Sequence, residues 1–317
     1  MTTGPAPIQL ESGNRQHELI AIVALVRGQV LKSEQLAAST EYYGSAVEVV
    51  RRSLQGRSFA NAMEPTLGVV TEENVERARV EVEEWQAEGL DVRSMLDDRY
   101  PANLLGIYNK PAWLFFAGHW DEARDSRAVA VVGTRTASEE GLRRAKRLSR
   151  ELVEAGYTVF SGMAKGIDTA AHVAALKAGG RTIAVMGTGI QKRYPAENAK
   201  LADAIVQSGA ALVSSFLPRQ PPTKWTFPVR NVVMSGMCLA TVVVEAGETS
   251  GAKLQAQYAL HHGRSVFLPK SLVDGHAWAR KYVTEGIHGI RAVEVASTDE
   301  IVHYLELDSS LAPPLAV

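Results

Sequence analysis

Cysteine is nearly absent. Cys238 stands alone in 317 residues, in an apolar setting, which rules out a disulfide within the chain and any cysteine-based metal cage. A reducing, cytoplasmic setting is the expectation. Long hydrophobic runs are missing too: no stretch of 18 apolar residues occurs, and the opening MTTGPAPIQLESGNRQ lacks the positive start and apolar core of a secretory leader. The chain is therefore expected neither to be secreted nor to span a membrane. Charge of one sign is not in excess, because 34 Lys and Arg stand against 35 Asp and Glu, a net charge of −1. No global positive field announces a polyanionic partner, so any such site must be a local patch. No repeat of roughly 20–50 residues and no low-complexity tract appears, which sets aside solenoids and propellers. What is present is an ordinary globular composition, 46% apolar and 22% charged, on a chain long enough for two domains at roughly 150 residues each.

Residues 1–14, with Gly4, Pro5, Pro7 and Gly13, and residues 309–317, with Pro313 and Pro314, lack periodicity and are expected as flexible tails. Over 15–95 the apolar residues recur at helical spacing: Leu19, Ile22, Val23 and Val26, then Val47, Val50 and Leu54, then Val75, Ala78, Val82 and Trp85. That spacing predicts a small helical module. A boundary is placed near residue 95, followed by a Pro-bounded apolar run from Pro111 to Gly118 that reads as a strand leading into a second domain over 96–308.

From Ala128 onward, buried-type apolar runs at 128–132, 157–160, 182–186, 210–213, 241–244 and 265–268 alternate with amphipathic helices at 139–155, 168–178, 197–208 and 251–262. Strands apolar on both faces are what a parallel sheet covered by helices on both sides requires. The fold class is α/β, a doubly wound, mostly parallel sheet with right-handed crossovers, preceded by the helical module. In such a sheet, ligands bind beyond the carboxyl ends of the strands, where loops meet helix N-termini.

Five segments lie at those positions. In Gly133-Thr134-Arg135, Gly133 permits a close turn, Thr134 can bond an oxyanion, and Arg135 offers a fork suited to phosphate; Ser138 is a candidate helix cap. The bland alternative is a turn with a solvated arginine. Ser161-Gly162, Lys165 and Gly166 precede a helix whose expected cap is Asp168, a second anion-cradling turn, although the order of a Walker loop is absent. Asp168 and His172, four apart, are either an acid–base pair or a cap with a structurally bonded histidine, and the second reading is favoured. Gly187 to Pro195 sets Lys192 and Arg193 beside Tyr194, which suits phosphate contact with base stacking, against the plainer alternative of solvated cations on a structural turn. Phe227-Pro228-Val229-Arg230-Asn231 holds an arginine that is either buried and paired or aimed at a ligand. Glu245 is expected to orient Arg230 as an ion pair, and Ser250-Gly251, followed by Lys253, to start another helix. The cations at 143, 147 and 150 share a helical face and read as a solvated stripe.

These motifs together resemble the DprA/Smf DNA-processing family: Gly133-Thr134-Arg135, Ser161-Gly162-x-Ala164-x-Gly166-Ile167-Asp168-x-x-Ala171-His172, Tyr194-Pro195-x-x-Asn198, Phe227-Pro228-x-Arg230-Asn231, Val243-Val244-Glu245-Ala246 and Ser250-Gly251. The likeness runs from Tyr100-Pro101 to about Gly286. It departs from the family pattern at Val232, where a further arginine is usual, at Lys270 and at Ser215. The resemblance implies an extended Rossmann-like domain that binds single-stranded DNA without sequence preference, forms a homodimer and helps load a RecA-type recombinase during natural transformation. It implies Arg135 and Lys165 as the basic positions of the DNA pocket. The winged-helix domain of some members is not expected beyond Leu307.

The expected function is therefore a non-enzymatic single-stranded DNA binder. Arg135, Lys165, Lys192 and Arg230 or Lys253 would neutralise phosphates, Tyr194 and Phe227 would stack bases, and no cofactor, metal or membrane would be involved. The runner-up is a nucleotide sensor or nucleotide-processing protein, conceivable also in a defence system, with Glu245, Asp168 and His172 as acid–base candidates. A protein-docking scaffold is the third.

Overall fold

The computed structural model describes residues 10–30, 33–55 and 70–311; of the tails expected over 1–14 and 309–317, residues 1–9 and 312–317 lie outside them. The chain divides into two compact units, Met1–Tyr100 with Tyr108–Phe115, and Pro101–Ile107 with Phe116–Val317.

The first unit contains α1 (Arg15–Arg27), α2 (Ser33–Tyr43), α3 (Ala46–Leu54), α4 (Glu72–Ala87), β1 (Asp91–Ser94) and the start of β2 (Trp113–Gly118). The apolar stretch Leu19–Leu25 of α1 is buried on every side, packed between α3 and α4. One carboxylate is buried with it. Glu18 accepts hydrogen bonds from Ser45 Oγ at 2.5 Å and from the N–H groups of Ala46 at 2.8 Å and Val47 at 3.3 Å, so it satisfies donors left open at the first turn of α3. A capping box between Thr71 and Asn74 starts α4. Trp85 of α4 sets its ring 4.9 Å from Phe115 and 6.4 Å from Trp113.

The second unit adds α5 (Ala102–Leu105), α6 (Glu122–Asp125), β3 (Ala128–Gly133), α7 (Glu139–Glu154), β4 (Thr158–Ser161), α8 (Ile167–Lys177), β5 (Thr182–Val185), and a 3₁₀ turn over Ala196–Asn198 leading into α9 (Ala199–Gln207). Then follow β6 (Ala211–Ser214), α10 (Thr226–Met237), β7 (Ala240–Glu245), α11 (Gly251–His261), β8 (Ser265–Pro269), α12 (Lys270–Gly275), α13 (Ala277–Thr284), β9 (Val293–Val295) and α14 (Thr298–Leu311). Helix α14 thus continues past residue 309, where a loose tail is expected. Strands β6-β5-β4-β3-β7-β8-β9 stand side by side in that order, with every neighbouring pair parallel. This is the doubly wound α/β architecture. The apolar runs of β3, β4 and β7 lie in one core with Ala145, Leu148 and Leu152 of α7 and Ile167, Ala171 and Ala175 of α8.

Two features position the site. The chain moves outward from β3 to β6 and then returns through α10 to β7, on the other side of β3, so the connections after β3 and β7 diverge and leave a crevice beyond their carboxyl ends. At the end of β3 the register against β7 shifts between Val132 and Gly133, which turns the following loop toward that crevice. The motif over 227–236, read in sequence only as a string of residues, is the greater part of α10. Its periodicity is masked because the helix is buried on several sides and carries Arg230 and Asn231 inward.

Candidate functional site

Beyond β3 and β7 lies a cavity of about 480 Å³, walled by Gly133, Thr134 and Arg135, by Phe227, Pro228, Arg230 and Asn231 of α10, and by Thr249, Ser250 and Gly251. A narrower recess of about 70 Å³ shares Arg135, Phe227 and Arg230 and adds Gly162, Lys165, Tyr194 and Pro195. The two form one ledge over the carboxyl ends of the strands.

The first loop is fixed by Glu245. The Thr134 N–H donates to the Glu245 carbonyl at 2.7 Å, while the Glu245 carboxylate accepts from Ser138 Oγ at 2.7 Å and from the Ser138 N–H at 3.2 Å. Ser138 in turn caps α7, its Oγ accepting from the Gly141 N–H at 2.9 Å. The ion pair expected between Glu245 and Arg230 is therefore not formed. A carboxylate at the end of β7 lies beside the amide-rich start of α7, and the unpaired donors and positive helix end there hold it. Arg135 extends from the loop into solvent with its guanidinium 5.2 Å over the Phe227 ring, and it makes no ion pair among the described residues. Ser250 caps α11 through the Ala252 N–H at 3.2 Å, as the sequence leads one to expect.

The second loop departs from expectation. The position before α8 is Gly166, with φ +78°, not Asp168. Asp168 sits in the first turn, 3% exposed, and its Oδ2 accepts from the N–H groups of Gly162 at 3.1 Å and Ala164 at 3.2 Å. Two amides that would cradle an external anion thus already hold an internal one. Burial raises the pKa of Asp168 above the usual carboxylate value, and the charge of Arg230 opposes that rise. The Ser161 hydroxyl is buried and donates to the Val131 carbonyl at 2.7 Å, so it faces the sheet instead of the ledge. His172 is fully buried. The Thr182 hydroxyl donates to the Val159 carbonyl and therefore accepts from His172 Nδ1 at 2.7 Å. Burial, reinforced by the charge of Arg230, pushes the His172 pKa down to about 3. The structurally bonded histidine is the observed one.

Under the ledge lies Arg230, 7% exposed. Its Nη1 donates to the Val185 carbonyl at 3.1 Å and its Nε to Asn231 Oδ1 at 3.0 Å, and Asn231 Nδ2 reaches the Gly251 carbonyl at 3.2 Å. Burial pulls the arginine's pKa down while Asp168 holds it up. Arg230 is the buried alternative of the two anticipated, although its guanidinium still borders both cavities. Lys165 lines the recess and donates to Glu197 Oε1 at 2.5 Å, an exposed pair that holds the Glu197 carboxyl below its usual pKa. Tyr194, 41% exposed and preceding a cis Pro195, places its ring 5.9 Å from Phe227.

The four cations expected on one rim are not all brought together. Arg135 and Lys165 border the ledge with Arg230 beneath, whereas Lys192 and Lys253 line neither cavity and Lys253 pairs with Glu248 at 3.3 Å. Gly166 packs against the first loop without lining either cavity. Arg143, Arg147 and Arg150 of α7 are exposed and pair with Glu140, Glu151 and Glu154 of their own helix. Sequence reasoning misses Glu197, since a contact across 32 positions leaves no spacing signal. Among the described residues no group of three His, Cys, Asp or Glu side chains could hold a metal ion, and no helix is long and apolar enough to cross a membrane.

Residues 91–306 match the family model of the DNA recombination-mediator protein A. The DNA processing protein DprA of Streptococcus pneumoniae R6 is 43% identical over 183 residues, 57% of this chain and 64% of that one, so the match spans just under two thirds of the relative. The DprA of Bacillus subtilis 168 is 34% identical over 245 residues, 73% of this chain and 82% of its own length. A crystal structure of the S. pneumoniae protein aligns with a TM-score of 0.69 at 27% identity, covering 92% of this chain and 98% of that one. A Helicobacter pylori DNA processing protein A, solved for its single-stranded DNA binding mode, shares the fold with a TM-score of 0.59 at 22% identity over 69% of this chain and 96% of that one.

Proposed function

The chain belongs to the DNA recombination-mediator protein A family, and on that premise we propose that it binds single-stranded DNA without reading its sequence. The observation that carries the proposal is Arg135, an exposed guanidinium with no acidic partner among the described residues, poised over Phe227 beside Tyr194 at the mouth shared by both cavities. A cation next to two aromatic faces grips a strand through phosphate and base stacking, neither of which depends on base identity. Lys165 is the second phosphate contact, and Gly133, Thr134, Asn231, Ser250 and Gly251 shape the wall. The H. pylori relative's single-stranded DNA binding supports this reading.

A binding role is favoured over catalysis because, of the three acid–base candidates, Asp168 and His172 are buried and committed to internal hydrogen bonds and Glu245 is held by Ser138. An anisotropy titration comparing single strand, duplex and free mononucleotide tests the proposal. Arg135→Ala with Lys165→Ala should weaken single-strand binding at least tenfold, about 1.4 kcal/mol. A double variant that binds like wild type at low salt removes this site, and preference for the mononucleotide favours the sensor reading. The proposal extends to a homodimer that hands the strand to a RecA-type recombinase. Light scattering should give twice the monomer mass, and filament formation on coated single strand should accelerate with wild type but not with the double variant.

A further inference from the structure

Of the five tryptophans, Trp85, Trp113, Trp120 and Trp278 are buried, whereas Trp225 is 55% exposed. Its ring is braced by Phe216 in an edge-to-face contact, centroids 5.5 Å apart, with most of the indole left in solvent. Val229, one turn on along α10, is exposed as well. A single exposed apolar side chain needs no explanation; three features set this one apart.

The first is place: Trp225 immediately precedes α10 and is two residues from Phe227, which borders both cavities of the ledge. Residues two apart on a helix project to different sides, so the two rings flank the N-terminus of α10. The second is charge. Residues 204–244 contain no Asp or Glu but include Arg219, Lys224 and Arg230, and Lys224, next to the tryptophan, is exposed with no ion pair among the described residues. Third, the turn is held in place: the Thr226 hydroxyl donates to the Thr223 carbonyl at 3.0 Å and accepts from the Thr223 N–H at 3.1 Å. A fixed aromatic face in an acid-free, cationic segment suits a flat group carried on a polyanion.

We infer that Trp225 is a further base-stacking position, where an unpaired nucleobase of a bound single strand lies on the indole as the strand leaves Phe227 and passes around the start of α10. The inference rests on the single-strand binding proposed above and adds a subsite outside the ledge.

The full-length chain supplies its own probe, because four of its five tryptophans are shielded. Saturating oligothymidylate should quench the exposed part of the tryptophan emission, and a duplex of equal length, whose bases are already stacked on one another, should leave it unchanged. Trp225→Ala should weaken binding of a fluorescein-labelled single strand about tenfold and abolish the quench, while Trp225→Phe should stay within about threefold of wild type. Anisotropy that saturates normally with wild-type emission unmoved would overturn the subsite and leave the proposed function standing. A Trp225→Ala variant that melts like wild type and binds like it would do the same. If the wild-type chain fails to bind any single strand, the functional reading falls, and the subsite with it.

Discussion

Gly162 has no side chain where Arg230 needs room: a Cβ there would lie 1.6 Å from the arginine's Nη1. Gly162→Ala should therefore push the guanidinium from its bond to Val185, costing about 1–3 kcal/mol in urea-unfolding free energy and weakening strand binding through the deformed ledge floor. A variant as stable as wild type would show that the arginine has another place to go. His172 supplies a pH effect. With its folded pKa near 3 against 6.5 ordinarily, the unfolded chain takes up a proton as pH falls through about 6.5 and the folded chain does not until about 3. Stability on this account is complete above pH 6.5 and declines across that window by up to about 1.4 kcal/mol per pH unit. His262, lowered to about 4 mainly by burial, acts in the same direction, while Asp168, whose pKa is raised, acts in the opposite one. Urea unfolding at pH 7.5 and 5 should show the loss, and His172→Asn should flatten the slope; an unchanged slope would contradict the assignment.

Each crossover element brings one loop to the ledge, and the loops hold one another. Gly166 makes one of these approaches: its φ of +78° disfavours other residues, and a Cβ there would meet the Thr134 carbonyl oxygen at 2.4 Å. Gly166→Ala should separate the first and second loops, reducing strand affinity more than Ser138→Ala, which removes only a cap and a bond to Glu245. Equal affinities in the two variants would mean that the loop contact is incidental. At this scale much of the chain was legible. Short runs such as Ala128–Val132 and Thr182–Val185 are apolar without alternation because both faces are covered, and α7 shows a clear polar and apolar side. Helix α10 was not legible, since inward-facing Arg230 and Asn231 break the apolar stripe that marks a helix.

Across the whole molecule, the ionic arrangement divides between the two ends of the sheet. Below the strands, Arg181 and Asp125 form a buried bidentate pair at 2.7 Å, with the same guanidinium reaching the carbonyls of Gly209 and His119 at 2.6 Å. At the carboxyl ends, Arg135 is exposed and makes no ion pair among the described residues. Net charge near zero means that strand attraction is local, so the slope of log K against log salt should be modest. Removing Arg135 and Lys165 together should lower its magnitude by about 1.4, roughly 0.7 for each phosphate no longer neutralised. A slope unaltered by the double substitution would place the phosphates elsewhere.

Sequence alone determined the parallel α/β sheet, its lead-in helices and the loops beyond the carboxyl ends of the strands that carry the proposed contacts, because burial on both faces and the βαβ rhythm are local patterns written along the chain. Tertiary structure alone decided the partners of the charges. Asp168 fills the amides of its own loop, Glu245 reaches Ser138 across 107 positions and Lys165 meets Glu197 across 32. Such contacts depend on distances set when the crossovers pack, and residue spacing carries no record of them.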